Sequence, residues 1–257
     1  MRRRGRIWLL APALLLASCS LPVPQPPEPP PPPAVAPPDA GAPPPPVALF
    51  DGGPPLSTRD RPQQQLAGWA ESLSDGLNIP HAALEAYGYA QLQMAATAGD
   101  CGLSWTVLAG LGAVESSHGR HGGARLDETG RPSPPIIGMP LDGSEGVKSL
   151  PDTDGGRLDG DRQWDRAVGP LQFIPSTWQR YQVDGDGDGV ADPHDLDDAA
   201  LTAAHYLCSS GGDLRDPDRF WAALWDYNRS RSYGQDVLDF ADRYGRKSHE
   251  LVETAGE

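Results

Sequence analysis

Proline constrains the start of this chain more than any other residue does. It dominates residues 21–46, with Pro29–Pro33 consecutive and Pro43–Pro46 consecutive again. Each proline lacks an amide donor and pushes the residue before it out of helical conformation, so a dense run forms neither helix nor sheet ladder. The expected state of residues 19–61 is a disordered linker rich in polyproline II, rising about 3.1 Å per residue and without a core of its own. Stretched out, the proline-dominated residues 21–46 hold whatever follows on the order of 80 Å from their start. An inert spacer with no positional purpose is the alternative.

The linker follows "MRRRGRIWLLAPALLLASC", in which arginines precede an apolar run and small residues precede Cys19. That order reads as a secretory signal over residues 1–18, and Ile7 to Ala17 is too short to span a bilayer comfortably. Leu16-Ala17-Ser18-Cys19 resembles the lipobox of bacterial lipoproteins. The resemblance implies cleavage before Cys19, lipid on that cysteine and export to the cell envelope, with membrane attachment through the lipid; a plain cleaved signal is the alternative. Of the three cysteines, Cys101 and Cys208 would then remain, and an oxidising compartment favours their pairing over two unrelated buried thiols.

The formal charge is −14, and loss of Arg2, Arg3, Arg4 and Arg6 with the signal makes it more negative by four. Nucleic acid and anionic lipid surfaces are poor partners for such a chain. No later apolar run is long enough to cross a membrane and no fixed-period repeat occurs. Residues 62–247 are enough for one sizeable core, and 248–257 read as a flexible tail. The fold class is expected to be mainly α, a single, monomeric helical domain. Helical spacing covers Pro62 to Leu77, Pro80 to Ala98 and about Ser104 to Ser117, the last ended by Gly119. Helices resume at Pro175 to Tyr181, Asp195 to Cys208, Pro217 to Asn228 and Tyr233 to Tyr244. Between them His121 to Val168, rich in Gly, Pro and Asp, reads as a long irregular insert with a short hairpin. Its apolar residues, Ile136, Ile137, Met139, Leu141 and Trp164, are expected to anchor it along a groove.

"DGDGDGVADPHD", Asp184 to Asp195, sets carboxylates at positions one, three, five, nine and twelve of an EF-hand-like loop, with glycine at six. Ca²⁺ takes six to eight oxygens, so Asp184, Asp186, Asp188, Asp192 and Asp195, with the Val190 carbonyl, are its candidate ligands. Asp195 replaces the usual glutamate, and its shorter arm weakens bidentate ligation. A solvated acidic turn is the alternative. A paired-loop docking module would need a second such loop.

Glu115 stands at the end of the small and apolar run "GLGAV". On a helix, Val107, Leu108 and Leu111 share its stripe, so its carboxyl rises from apolar surroundings, which raises a carboxyl pKa by desolvation. "AVESSHG" at 113–119, "AVGPLQFIPSTW" at 167–178 and "YNRSRSY" at 227–233, in that order and with the acidic loop, resemble the lytic transglycosylases of peptidoglycan, in particular the membrane-bound class with an EF-hand-like loop.

The resemblance implies a lysozyme-like, α+β fold and cleavage of the β-1,4 bond between N-acetylmuramic acid and N-acetylglucosamine in peptidoglycan glycan strands. It makes Glu115 the lone catalytic carboxylate, first acid and then base, with a 1,6-anhydro sugar as product. It places Gln172, Tyr227, Asn228 and Tyr233 along the substrate, with Ser116, Phe173 and Asp165 as further candidates. Structural roles for each are the alternatives, as are a catalytically silent glycan-binding lipoprotein and a hydrolytic muramidase for the whole chain. His118 and His121 read as solvated loop residues. One Glu-x-x-His pair is too few for a di-metal site, and "GLGAVE" lacks the third glycine and preceding strand of a dinucleotide loop.

Overall fold

The computed structural model describes residues 36–53, 61–144 and 146–255; Cys19, with the signal and lipidation readings, lies outside the described residues. The mainly α expectation holds. A 3₁₀ turn, Pro62–Leu66, leads into α1 (Ala67–Leu77), followed by α2 (His81–Thr97), α3 (Trp105–Ser116), α4 (Pro175–Tyr181), α5 (Leu196–Gly211), α6 (Pro217–Tyr227) and α7 (Arg231–Ala255). No helix among the described residues is long and apolar enough to cross a membrane.

Sequence explains which helices sit inside. In α1 only Ala70, Leu73 and Leu77 are buried, one face of an amphipathic helix. In contrast α2 is buried continuously from Ala82 to Ala90 and α3 from Trp105 to Gly112, so both are enclosed on all sides. Small residues allow this. A Cβ on Gly110 would lie 2.6 Å from the Val237 carbonyl oxygen, so glycine lets α7 lie directly on α3. Aspartates start α5 and α6: Asp195 accepts from the Asp197 amide at 2.9 Å, and Asp216 accepts from the Arg219 amide at 3.0 Å.

Cys101 and Cys208 form a disulfide, with Cα atoms 5.5 Å apart and 107 residues of separation. In the chain-entropy account a loop of that length contributes about 4–5 kcal/mol, less native-state strain.

The insert is ordered as two antiparallel ribbons. β1 (Arg125–Leu126) pairs with β2 (Pro132–Ser133), and β3 (Ile137–Pro140) pairs with β4 (Arg166–Val168). Its expected anchoring is only partly met: Ile136 is buried, but Ile137 is 38% exposed and Met139 67% exposed, because β3 is a ribbon strand whose alternate residues face outward.

Both ends of the domain depart from expectation. Residues 36–53, read as disordered linker, lie along the domain. The Trp105 indole donates to the Ala42 carbonyl at 3.1 Å, the Ala42 amide donates to Ser248 Oγ at 2.8 Å and the Thr106 hydroxyl donates to the Asp39 carbonyl at 2.8 Å. Further on, the Phe50 amide donates to the Tyr89 hydroxyl at 2.7 Å. Proline's lack of amide donors does not prevent this, since alanine and phenylalanine amides and backbone carbonyls make the bonds. The tail expected at 248–257 is helical through Ala255, because the α7 stripe continues: Ser248 is buried and Leu251 packs against the core. A chain begun at residue 61 is expected to melt roughly 4–8 °C below one begun at residue 36, reflecting about 2 kcal/mol of lost hydrogen bonds and apolar cover. Equal melting temperatures by calorimetry would show the arm to be a passive passenger.

Candidate active site

Glu115 occupies the last turn of α3, where the helix emerges from the core, and its side chain is partly exposed. The Tyr233 hydroxyl, from the first turn of α7, donates to Glu115 Oε1 at 2.5 Å. Burial pushes the carboxyl up to about 7, and the Tyr233 hydrogen bond opposes that rise. No other carboxylate among the described residues contributes to its shift. Burial, with Glu115 next in size, raises both Tyr227 and Tyr233 far above the ordinary phenol range. Both phenols therefore act as neutral donors. Their rings stack at 6.5 Å between centroids, with 11° between planes.

The turn after β4 is tied to these groups. The Ser116 hydroxyl donates to the Pro170 carbonyl at 2.6 Å, and the Tyr227 hydroxyl donates to the Leu171 carbonyl at 2.9 Å. Gln172 adopts φ 50°, and its side-chain amide donates to the Gly169 carbonyl at 2.9 Å. A Cβ on Gly138 would lie 3.1 Å from Gln172 Oε1, so Gln172 also abuts β3. α3, the 169–172 turn, α6 and α7 thus converge around Glu115.

Several candidate substrate residues are structural. Ser116 is buried and spends its hydroxyl on Pro170, because the residue after the helical carboxylate turns inward. Phe173 is core, edge-on to Trp178 at 5.3 Å and to Tyr227 at 5.8 Å. Asp165 is fully buried, with its two oxygens accepting from the Thr153 amide at 2.8 Å and the Thr153 hydroxyl at 2.7 Å. It fastens the 150–165 loop. Asn228 caps α6 in extended conformation and is exposed.

His118, read as solvated, is 1% exposed. The chain reverses immediately after α3 and folds its ring back under the helix, whereas His121 is exposed. The partners of His118, Tyr87 and Tyr244, were not legible as site residues, since each sits in an ordinary helical apolar stripe.

In the acidic loop, carboxylate oxygens of Asp184, Asp186 and Asp188 lie within 4.8 Å of one another. Gly187 and Gly189 take φ of 77° and 93°, the left-handed geometry a tight ion-binding turn uses. The later positions have further partners. Asp192 pairs with Arg131 Nη1 at 2.5 Å and Asp195 with Arg131 Nε at 3.1 Å, and the Val190 side chain is exposed. Arg131, from the insert, draws those two carboxylates, and nothing in the local pattern marked it. Two further aspartates close the loop: Asp198 accepts from the Gly185 amide at 2.6 Å and the Asp192 amide at 2.7 Å, and Asp197 pairs with Arg61. Burial pushes Asp186 up to about 6, Asp195 to about 8 and Asp198 to about 9, with neighbouring aspartates adding to each shift. Gln63 Oε1 is buried without a partner, while its amide donates to the Gly185 carbonyl at 2.7 Å. This donor set, with its excess of buried negative charge, fits a hard divalent cation at Asp184, Asp186 and Asp188.

Residues 157–217 match the family profile described as a transglycosylase SLT domain. That segment is similar to the transglycosylase SLT family. The SLT segment contains Asp165, Gln172, Phe173, the acidic loop and Cys208, while Glu115, Tyr227 and Tyr233 lie outside it. No curated protein sequence matches the chain significantly. Among solved structures, the Escherichia coli lytic transglycosylase Slt35 in complex with calcium is similar at 14% identity and TM-score 0.43, covering 70% of this chain and 78% of that one. SltB3 from Pseudomonas aeruginosa, in complex with NAG-anhNAM-pentapeptide, is similar at 17% identity and TM-score 0.44, covering 77% and 72%. Likeness at this level assigns no residue of the SLT segment or of the chain around it.

Proposed function

We propose that the protein is a peptidoglycan lytic transglycosylase and that Glu115 is its acid and base. The observation that supports this reading is a carboxyl raised to about 7 by burial and gripped by Tyr233, with no second carboxylate among the described residues contributing to its shift, in a chain with a segment similar to the SLT family. A carboxyl titrating near 7 is half protonated at neutral pH, able to donate to the leaving glycosidic oxygen and then, as carboxylate, to accept the proton of the muramic acid 6-hydroxyl. Glycosidases that recruit water use two carboxylates. With Glu115 acting alone, the substrate's own 2-acetamido group supplies the stabilisation a second carboxylate would give, and intramolecular closure to the 1,6-anhydro sugar consumes no water. Tyr233 and Tyr227 face Glu115, and Gln172, on the turn that Ser116 and Tyr227 hold, and Asn228, at the end of α6, are the further side chains proposed to meet the sugar.

Peptidoglycan as substrate places the protein on the extracytoplasmic face of the cell envelope, in agreement with the resemblance of the sequence before Cys19 to a lipobox. The experiment is incubation of insoluble peptidoglycan with the protein. Release of soluble glycan supports an enzyme; retention on the polymer without release would favour the catalytically silent binding lipoprotein.

Ca²⁺ is the proposed structural cation. Asp184, Asp186 and Asp188 would hold it, and when bound it would supply the positive charge that lets the buried aspartates ionise together while fixing the chain between α4 and α5. Free Ca²⁺ at 100 times its Kd is expected to stabilise the native state by about 2.7 kcal/mol, read as a higher melting temperature that a chelator reverses. A melting temperature indifferent to both additions would remove the cation from the account.

A further inference from the structure

The three residues that follow Ser116 all have positive φ: 52° at Ser117, 59° at His118 and 79° at Gly119. Left-handed backbone is costly for residues with a side chain and persists where surroundings hold it. Here the holding is visible. The Ser117 amide donates to the Ala113 carbonyl at 3.1 Å and the His118 amide to the Gly112 carbonyl at 2.7 Å, closing the last turn of α3. The Gly119 amide donates to Ser116 Oγ at 2.7 Å.

The His118 ring completes the clamp. Its Nδ1 lies 3.3 Å from the Tyr87 hydroxyl of α2 and its Nε2 lies 3.0 Å from the Tyr244 hydroxyl of α7. Gly112 makes room for this arrangement, since a Cβ there would lie 2.0 Å from the Tyr87 oxygen and 3.1 Å from His118 Nδ1. Burial, and secondarily Arg120, push the imidazole down to about 3, while burial pushes Tyr87 and Tyr244 up. All three groups are neutral across ordinary pH. A neutral imidazole has one donor and one acceptor, so it accepts from one phenol and donates to the other, spanning the two helices in a fixed sense.

Two links therefore join the end of α3 to α7, Glu115 to Tyr233 and His118 to Tyr244. We propose that His118 is a positioning residue: by bridging Tyr87 and Tyr244 it holds the strained end of α3 against α7 so that the Glu115 carboxyl meets the Tyr233 hydroxyl. This rests on the reading of Glu115 as the acid. The titratable or charged groups that face these two side chains are Tyr233 and Tyr227 at Glu115, and Tyr87, Tyr244 and Arg120 at His118.

The test is the titration of the Glu115 carboxyl carbon, followed by NMR in the full chain and assigned by its loss in Glu115→Gln. Tyr244→Phe removes one hydroxyl and keeps the ring; His118→Phe removes the bridge; Tyr89→Phe, whose hydroxyl serves the Phe50 amide, controls for loss of a tyrosine hydroxyl elsewhere. Loosening the Tyr233 contact withdraws the influence that opposes the raised pKa. Glu115 in Tyr244→Phe is thus expected to titrate roughly half a unit or more above wild type. With cleavage as readout, kcat is expected to fall roughly 10-fold with KM little changed. His118→Phe should match or exceed both effects and Tyr89→Phe should show neither. An unchanged Glu115 titration in folded Tyr244→Phe overturns the proposal, whatever His118→Phe does. Absence of cleavage by the wild type would count against the function and not against the bridge, since the titration is read without turnover.

Discussion

Glu115→Gln is expected to abolish glycan release from peptidoglycan, by roughly 10³-fold or more, while leaving binding to the polymer and the melting temperature near those of wild type. A positioned acid–base group contributes about 10²–10⁴-fold, and here one group serves both steps, so no second residue takes over either. Glutamine keeps the volume and the acceptor for the Tyr233 hydroxyl but holds no transferable proton. The pH profile carries the same logic. The free enzyme must hold Glu115 protonated, and that form is lost as pH rises through its raised pKa, so kcat/KM should fall on the alkaline side with a midpoint near 7. A midpoint near an ordinary carboxyl value, below 5, would mean that burial does not tune this group. Initial rates of glycan release from pH 4 to 9, for wild type and Glu115→Gln, read both results.

Arg61→Met is expected to cost about 3–5 kcal/mol of stability, the largest effect of a single side chain outside the apolar core. Arg61 is buried, with Nε 2.5 Å and Nη2 2.9 Å from the two oxygens of Asp197, and with Nη1 3.0 Å from Glu85 Oε2 and 2.7 Å from the Glu128 carbonyl. It joins α2, α5 and the insert through one guanidinium. Methionine approximates its length without its charge, leaving Asp197 without its ion-pair partner and Glu85 with only His81, at 3.3 Å, in a place that water barely reaches. Replacing an entire buried ion pair with apolar residues is often harmless, whereas removing one partner is not. Chemical denaturation compares the variant with Arg61→Met/Glu85→Leu/Asp197→Leu, which should recover part of the loss. A single variant as stable as wild type would make the network dispensable.

How much of this was legible beforehand follows from what each signal depends on. Helices announced themselves by local means: apolar spacing, with Pro80, Pro175 and Pro217 at starts. Glu115 was legible because a carboxylate at the end of an apolar run conflicts with its neighbours, and the disulfide because cysteines are few. Long-range partners were not. The pairing of His118 with Tyr87 and Tyr244 depends on a chain reversal that brings residue 118 back beneath residue 112, and a histidine beside glycines looks solvated in one dimension. The arm misled for a related reason. Proline composition reports what a segment does alone, and residues 39–50 are ordered by Trp105, Ser248 and Tyr89, all distant in sequence. Asp192 and Asp195 follow the ion-binding spacing, yet Arg131, more than fifty residues earlier, holds both. Spacing identifies potential ligands; it does not reveal competing cations.

The central claim is that one carboxyl carries the reaction and that no water enters it. Mass spectrometry of the soluble products released from purified peptidoglycan by the protein tests this most directly. The account predicts muropeptides ending in 1,6-anhydro-N-acetylmuramic acid, absent from a parallel digestion with Glu115→Gln. Products with ordinary reducing ends, heavier by one water, would contradict it, because they would mean that water, and not the muramic acid 6-hydroxyl, is the group that attacks.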